Sequence, residues 1–254
     1  MSTIAIRGVE IGAGVPKIIV PIVGKTAKEI LDKAAEIVTL PVDMVEWRAD
    51  FYGDVTETDT LLDTAAKLRA ALGDLPILFT IRTKHDGGEL DVGFAEYVAL
   101  NNAVAGSGSV DLIDVEIYRE DDATRAHIAD IQKAGVRVVG SYHDFGGTPA
   151  RARIVEILRA AQDMGSDVPK IAVMPRSTED VFTLLSASAE MKEKYAEKPL
   201  LTISMGPLGM VSRIACEISG SSMTFGAAGQ TSAPGQMQAK ELRQCLETLH
   251  TAAN

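Results

Sequence analysis

Lys17-Ile18-Ile19-Val20-Pro21-Ile22-Val23 is the first of eight short, apolar, β-branched segments whose recurrence decides the fold. The others are Met44–Arg48, Ile77–Arg82, Leu112–Tyr118, Val136–His143, Lys170–Met174, Leu200–Met205 and Met223–Ala227. Helix-like stretches separate them. Each segment starts 23 to 35 residues after the one before, room for a strand, a crossover helix and two loops. Regular alternation of β and α predicts a parallel sheet, and eight units predict an α/β fold closed into a (β/α)₈ TIM barrel. An open doubly wound sheet is the alternative. It usually has fewer strands and a glycine-rich phosphate turn after the first, where this chain has only Gly24-Lys25-Thr26. The opening Thr3–Val15 alternates around Gly8 and reads as an N-terminal β-hairpin closing the bottom of the barrel.

Local signals support the helices. Thr26 with Glu29 spells a capping box, and Thr148-Pro149 puts a cap residue before a proline at the first helical position. Between Thr60 and Leu72 the apolar residues Leu61, Leu62, Ala65, Leu68 and Leu72 fall at helical spacing. No linker, repeat or low-complexity segment interrupts the pattern, so residues 1–254 read as one barrel domain. Hydrophobic residues make up 46% and charged residues 24%, the profile of a soluble globular protein. A formal net charge of −10, with no stripe of lysine and arginine, argues against nucleic acid or an anionic membrane as partner. An anionic substrate would then need arginines focused in a cleft. Cys216 and Cys245 fit neither a metal site nor a disulfide framework. The first 24 residues do not read as a signal peptide and no apolar run is long enough to span a bilayer, so the expected location is cytoplasmic.

Strand side chains alternate between faces. With Val45, Trp47 and Ala49 turned to the helices, Glu46, Arg48 and Asp50 point into the barrel. The same parity turns Thr80 and Arg82, then Asp114, Glu116 and Tyr118, then Ser141 and His143, then Lys170, Ala172 and Met174 inward. Buried charges are costly unless they pair with one another or serve a polar ligand, and strand ends at the upper mouth are where this fold builds active sites. Lys170 stands in Val168-Pro169-Lys170-Ile171-Ala172, where a solvated lysine has little reason to be. A neutral lysine amine attacks a ketone, and burial beside cations such as Arg48 and Arg82 favours the neutral form. The resulting iminium acidifies a proton on the adjacent carbon. His143, on the next strand, can take and return that proton. Taken singly, a lysine at a strand start reaching water and a satisfied histidine at a strand end explain the same residues. Of the other histidines, His127 reads as helix surface, His250 as C-terminal tail, and His85 as part of the loop Lys84-His85-Asp86-Gly87-Gly88-Glu89. Gly87 and Gly88 permit a tight path that aims Asp86 over the mouth, although a solvated turn fits equally. The stretch from Phe225 to Gln236 has the small, polar composition of a closing lid, and Gly226–Gly229 is a candidate phosphate cradle.

The ordered set Glu46-Trp47-Arg48-Ala49-Asp50, Thr80-Ile81-Arg82, Ser141-Tyr142-His143-Asp144-Phe145, Lys170-Ile171-Ala172, Met205-Gly206 with Arg213, and Ser232-Ala233-Pro234-Gly235-Gln236 resembles the class I 3-dehydroquinate dehydratases from about residue 17 to 240. The resemblance implies a homodimeric barrel enzyme of the shikimate pathway that dehydrates 3-dehydroquinate to 3-dehydroshikimate with no metal or coenzyme. Carried over, Lys170 forms the imine and His143 moves the proton. Arg213 pairs with the substrate carboxylate, with Ser232 and Gln236 nearby. Glu46, Arg48 and Arg82 bind ring hydroxyls, and Met205 and Phe225 supply apolar wall. One position departs. The family has glutamate before the glycine pair, where it orients and tunes the histidine, and this chain has Asp86, shorter by roughly 1.5 Å. The expectation is an active enzyme with slowed proton transfer. Two rivals remain: another Schiff-base lyase of the class I aldolase type, and a metabolite-binding barrel without turnover.

Overall fold

The computed structural model describes residues 2–119, 121–229 and 237–253. Strands β1 (Ile4–Ile6) and β2 (Val9–Ile11) form an antiparallel hairpin. Eight parallel strands follow: β3 (Lys17–Ile22), β4 (Met44–Arg48), β5 (Ile77–Thr80), β6 (Leu112–Glu116), β7 (Arg137–Asp144), β8 (Val168–Val173), β9 (Leu201–Ser204) and β10 (Met223–Phe225). Each of β3 to β9 pairs with the next in sequence up to β9, and β10 returns to pair with β3. Between β9 and β10 the ring is completed by the isolated Leu200–Ser221 bridge. The crossovers are α1 (Ala27–Ile37), α2 (Thr58–Leu72), α3 (Phe94–Gly106), α4 (Asp121–Lys133), α5 (Arg151–Asp163) and α6 (Thr178–Lys194); α7 (Met210–Ile214) and α8 (Cys216–Ser219) share the one after β9, and α9 (Ala239–Ala253) follows β10. The expected (β/α)₈ barrel and its eight strands are therefore present, with ends shifted by a few residues.

Two apolar clusters hold the layers together. The larger lies between barrel and helices and takes the outward apolar residues of β3 to β8, with Ala49 and Ile117 just beyond the ends of β4 and β6; among them are Val45 and Trp47, and Ile113 and Val115. Trp47 is fully buried there, with Phe79 edge-on at 5.4 Å. The smaller fills the barrel floor: Ile19, Met44, Leu78, Leu112, Val139, Val168, Leu201 and Met223 from the strands meet Ile4, Ile6 and Ile11 of the hairpin. The hairpin is thus the hydrophobic stopper at the bottom, and side chains above this dry floor look only upward.

The feet of the strands follow a rule that repeats at every second strand. Asp43, Asp111 and Asp167 immediately precede β4, β6 and β8, and each accepts a backbone N–H from the foot of the preceding strand, Ile18 at 2.7 Å, Ile77 at 2.9 Å and Val138 at 2.9 Å. Each carboxylate is neutralised by arginine: Arg243 for Asp43, Arg7 and Arg69 for Asp111, Arg137 for Asp167. Before β10 the Ser221 hydroxyl accepts the Thr202 N–H at 2.9 Å in the same way. A strand foot would otherwise leave these donors unpaired.

Several local expectations are corrected. Thr26 Oγ1 accepts the Glu29 N–H, but Glu29 returns its hydrogen bond to the Lys25 N–H, one residue before the cap. Thr148 does not cap a helix: its hydroxyl donates to the Met174 carbonyl, and α5 begins only at Arg151. His127 is not on the surface. Its ring packs edge-on to Tyr97 within the helix layer, and burial lowers it to about 4. His250 belongs to α9 and pairs with Glu217. Tyr118 does not face the barrel interior, because β6 ends at Glu116 and the ring turns outward against Tyr142 and under Arg153. Gly226 and Ala227 cannot cradle a phosphate with their amides, which are spent on the Ile19 and Met237 carbonyls.

The foot carboxylates make a separable prediction. Asp111→Ala leaves Arg7, Arg69 and the Ile77 N–H without their shared acceptor and should cost about 3 kcal/mol in urea denaturation. Because Asp111 lies at the opposite end from the mouth, kcat should be unchanged; a kcat loss without a stability loss would contradict the assignment.

Candidate active site

Above the floor the inward parity changes character. Glu46, Thr80, Asp114, Ser141 and Lys170 form a polar tier, and Arg48, Arg82, Glu116 and His143 lie nearer the mouth. A cavity of about 230 Å³ opens there, lined among others by Glu46, Arg48, Arg82, His143, Lys170, Met205, Arg213 and Phe225. That is below the roughly 300–1,000 Å³ of drug-sized pockets and suits one small substrate. Eight of the expected site residues therefore converge on one space from β4, β7, β8, β10, α7 and the loops after β5 and β9.

Lys170 is 3% exposed, so its amine is inside the protein. Its nearest polar neighbours are not the arginines that the sequence suggested. Nζ donates to Asp114 Oδ2 at 2.9 Å, lies 3.9 Å from Glu46 Oε1, and sits 5.3 Å over the Phe225 ring. Strand pairing sets Lys170 opposite Ser141 and Ser141 opposite Glu116, and the amine turns instead to Asp114, the inward carboxylate two residues before Glu116 on β6. The other oxygen of Asp114 accepts from Arg82 Nη2 at 2.6 Å and from Ser141 Oγ at 2.6 Å. Burial alone would raise this carboxyl, but Arg82 and Lys170 hold it well below the ordinary carboxylate range.

His143 and Lys170 lie on adjacent strands two positions out of step, Ser141 being opposite Lys170 and His143 opposite Ala172. His143 Nδ1 is 2.7 Å from Asp86 Oδ2. Assigning that proton to Nδ1 leaves Nε2 as the lone-pair nitrogen. Burial, then the Arg82 charge, lowers the imidazole to about 4 against the opposing Asp86, so it is neutral at neutral pH. Burial works against ionisation of Asp86, but His143 and Arg82 outweigh it and hold the carboxyl below its usual value.

Asp86 reaches the histidine because of the turn that carries it. The stretch Lys84–Asp86 forms one 3₁₀ turn closed by Gly87 at φ 80°, a left-handed conformation in which glycine is favoured. A Cβ on Gly87 would collide with the Phe145 ring, and one on Gly88 with the Arg82 carbonyl. Glu116 fastens the start of the turn, accepting from Thr83 N and Thr83 Oγ1, both at 2.8 Å. Phe145, half exposed at the mouth, stacks on His143 at 6.2 Å.

The arginines divide the work differently from one another. Arg48 forks onto Asp50 with two 2.8 Å hydrogen bonds, and Phe51 lies 5.0 Å beneath it. Arg82, 3% exposed, meets Asp86, Glu116, Ser141 and Asp114. Arg213, on α7, is buried, and its Nη1 donates to the Phe225 carbonyl at 3.4 Å. Burial lowers its guanidinium to about 10, still charged at neutral pH. Ser232 and Gln236 lie outside the described residues. Parity alone marks Asp114, Glu116 and Ser141 as inward but assigns them no partners, and the motif around His143 gives Phe145 no role.

A family model described as type I 3-dehydroquinase matches residues 18–253. A 3-dehydroquinate dehydratase of Bacillus licheniformis is 46% identical over 247 residues, 97% of either chain, and one of Salmonella paratyphi B is 43% identical, with 99% of this chain and all of the relative covered. Among solved structures, the type I 3-dehydroquinate dehydratase of Clostridium difficile with covalent modified comenic acid superposes with a TM-score of 0.96 at 41% identity, covering 99% of both chains. Matched from its first barrel strand to its last helix, and like these relatives along nearly its whole length, the chain belongs to the type I 3-dehydroquinase family.

Proposed function

We propose that the chain is a hydro-lyase that converts 3-dehydroquinate to 3-dehydroshikimate through a Schiff base on Lys170. The observation that carries this reading is the pairing of a buried inward lysine with a neutral, Asp86-anchored histidine in one cavity. A relative from Clostridium difficile was solved with covalent modified comenic acid, which accords with a covalent mechanism.

Lys170 Nζ releases one ammonium proton and adds its lone pair to the C3 carbonyl; that proton and a second N–H proton pass to the carbonyl oxygen, which leaves as water, and the iminium keeps the remaining N–H and the positive charge. Its positive nitrogen acidifies the C2 proton, which His143 Nε2 removes while the C–H electron pair becomes the enamine double bond. The enamine electrons return and expel the C1 hydroxyl, which leaves as water with the proton that His143 holds. Hydrolysis of the conjugated iminium consumes the first water and frees the lysine, so the net change is loss of one water. Arg213 receives the substrate carboxylate, whose charge offsets the cost of burying the guanidinium. Glu46 and Arg48 meet ring hydroxyls. Met205 and Phe225 form the apolar wall. This arrangement supplies the local positive focus that an anionic substrate needs in a chain of net charge −10.

Borohydride reduction with 3-dehydroquinate present, followed by peptide mapping, is the direct test. An adduct on Lys170 with the mass of the dehydrated product is expected, and Lys170→Ala should give neither adduct nor turnover. Turnover in Lys170→Ala would sink the mechanism, and two cleavage fragments would mean an aldolase.

The base acts unprotonated, so activity is lost as pH falls through its folded value. The kcat/KM profile should stay flat below about 6.5, the ordinary histidine value, and fall only toward about 4. An acid limb at the ordinary value would mean that the imidazole is solvated.

Asp86 already touches His143, so proton transfer need not be slow. Lengthening it should push the contact out of line, and Asp86→Glu is expected to lower kcat by about ten- to a hundredfold. A gain would show that the site retains the geometry of a glutamate.

A further inference from the structure

We propose that Arg82 is a positioning residue that ties the nucleophile to the base, with Asp114 as its partner on the lysine side; the proposal rests on the Schiff-base reading above. A continuous chain of contacts joins the two ends. Lys170 Nζ lies 2.9 Å from Asp114, Asp114 lies 2.6 Å from Arg82 Nη2, Arg82 Nη1 lies 3.1 Å from Asp86, and Asp86 lies 2.7 Å from His143 Nδ1. The four side chains other than His143 come from positions that are each less than a tenth exposed.

Backbone pairing fixes where Lys170 and His143 leave their strands but not where their nitrogens end. A lysine has four side-chain rotations to restrain, and Asp114 is its anchor. Asp114 is itself oriented by Ser141 and Arg82, both on its second oxygen. Arg82 spends both terminal nitrogens in this way, and Nη1 also faces Glu116 and Ser141. The guanidinium thereby holds the protein's own carboxylates, a task additional to any contact with a ring hydroxyl. Only a planar fork can hold two carboxylates on separate nitrogens at once.

The chemistry gives this link a purpose. When the C2 proton moves to His143, positive charge leaves the lysine nitrogen and appears on the imidazole. Asp114 loses a cation at one end as Asp86 gains one at the other. Arg82 stands between the two carboxylates throughout, so neither is left without a partner in the low-dielectric interior during the step.

The test compares Arg82→Gln with Arg82→Lys in the intact protein, using pH profiles and borohydride trapping. His143 is faced by Asp86 and Arg82 from the loop after β5, Asp114 from β6 and Lys170 from β8. Removing the Arg82 charge should therefore move the acid limb of kcat/KM upward. In Arg82→Gln we expect kcat to fall about a hundredfold, with Lys170 adducts that still carry the substrate's water. Arg82→Lys should restore the acid limb but not kcat. A raised KM with unchanged kcat and acid limb would overturn the proposal in favour of hydroxyl binding. A fall in kcat with an unmoved limb and only dehydrated adduct would overturn it in favour of a purely structural arginine. If Arg82→Gln does not fold, Asp114→Asn, nearly equal in size, replaces it. Substrate-level adducts there support the link, and an unchanged adduct distribution overturns it. Wild type giving no adduct at all is a different failure, that of the Schiff-base reading.

Discussion

A carboxylate with no exposed surface must find its counter-charges inside the protein, and Asp114 finds them in Arg82 and Lys170. The rest of the molecule makes that pairing possible. The hairpin and the floor residues keep water from entering below, so the pair is poorly screened and strongly held. The helix layer takes every outward side chain of β6, leaving Asp114 and Glu116 no direction but inward. Replacing such charges by apolar residues could favour stability. Their presence in a chain that could have filled its barrel with leucine is the physical mark of a site built to handle charge.

Much of this was legible from the residues alone. The eight apolar segments gave strands, parity gave the inward set, and the ordered motifs gave Lys170 and His143. What parity could not give was partnership. It placed Asp114 and Arg82 on the same face without saying that one would stand between the other and the lysine, because that depends on barrel register and side-chain reach. Tyr118 failed because parity holds only while the strand lasts. His127 failed because the apolar face of α4 is wide enough to bury a neutral imidazole beside Tyr97. Thr148-Pro149 failed because the helix begins only at Arg151, and the hydroxyl donates instead to the Met174 carbonyl.

Asp86, where the resemblance leads one to expect glutamate, meets the histidine: its Oδ2 lies 2.7 Å from His143 Nδ1. The turn around Gly87 and Gly88 runs against the Arg82 carbonyl and the Phe145 ring with no room for a Cβ, which draws Asp86 toward the barrel axis. Thr83, held by Glu116, fixes the point from which that turn starts.

The barrel is not equally stitched around its circumference. The wall carrying His143 and Lys170 is a ladder of six paired positions between β7 and β8, whereas β9 and β10 meet through one bridge. Amide protons should therefore exchange with solvent more readily along that seam than along the reactive wall. The segment crossing the seam carries Met205 and Arg213. Compliance is thus concentrated beside Met205 and Arg213, while His143 and Lys170 are borne by the most extensively paired part of the ring.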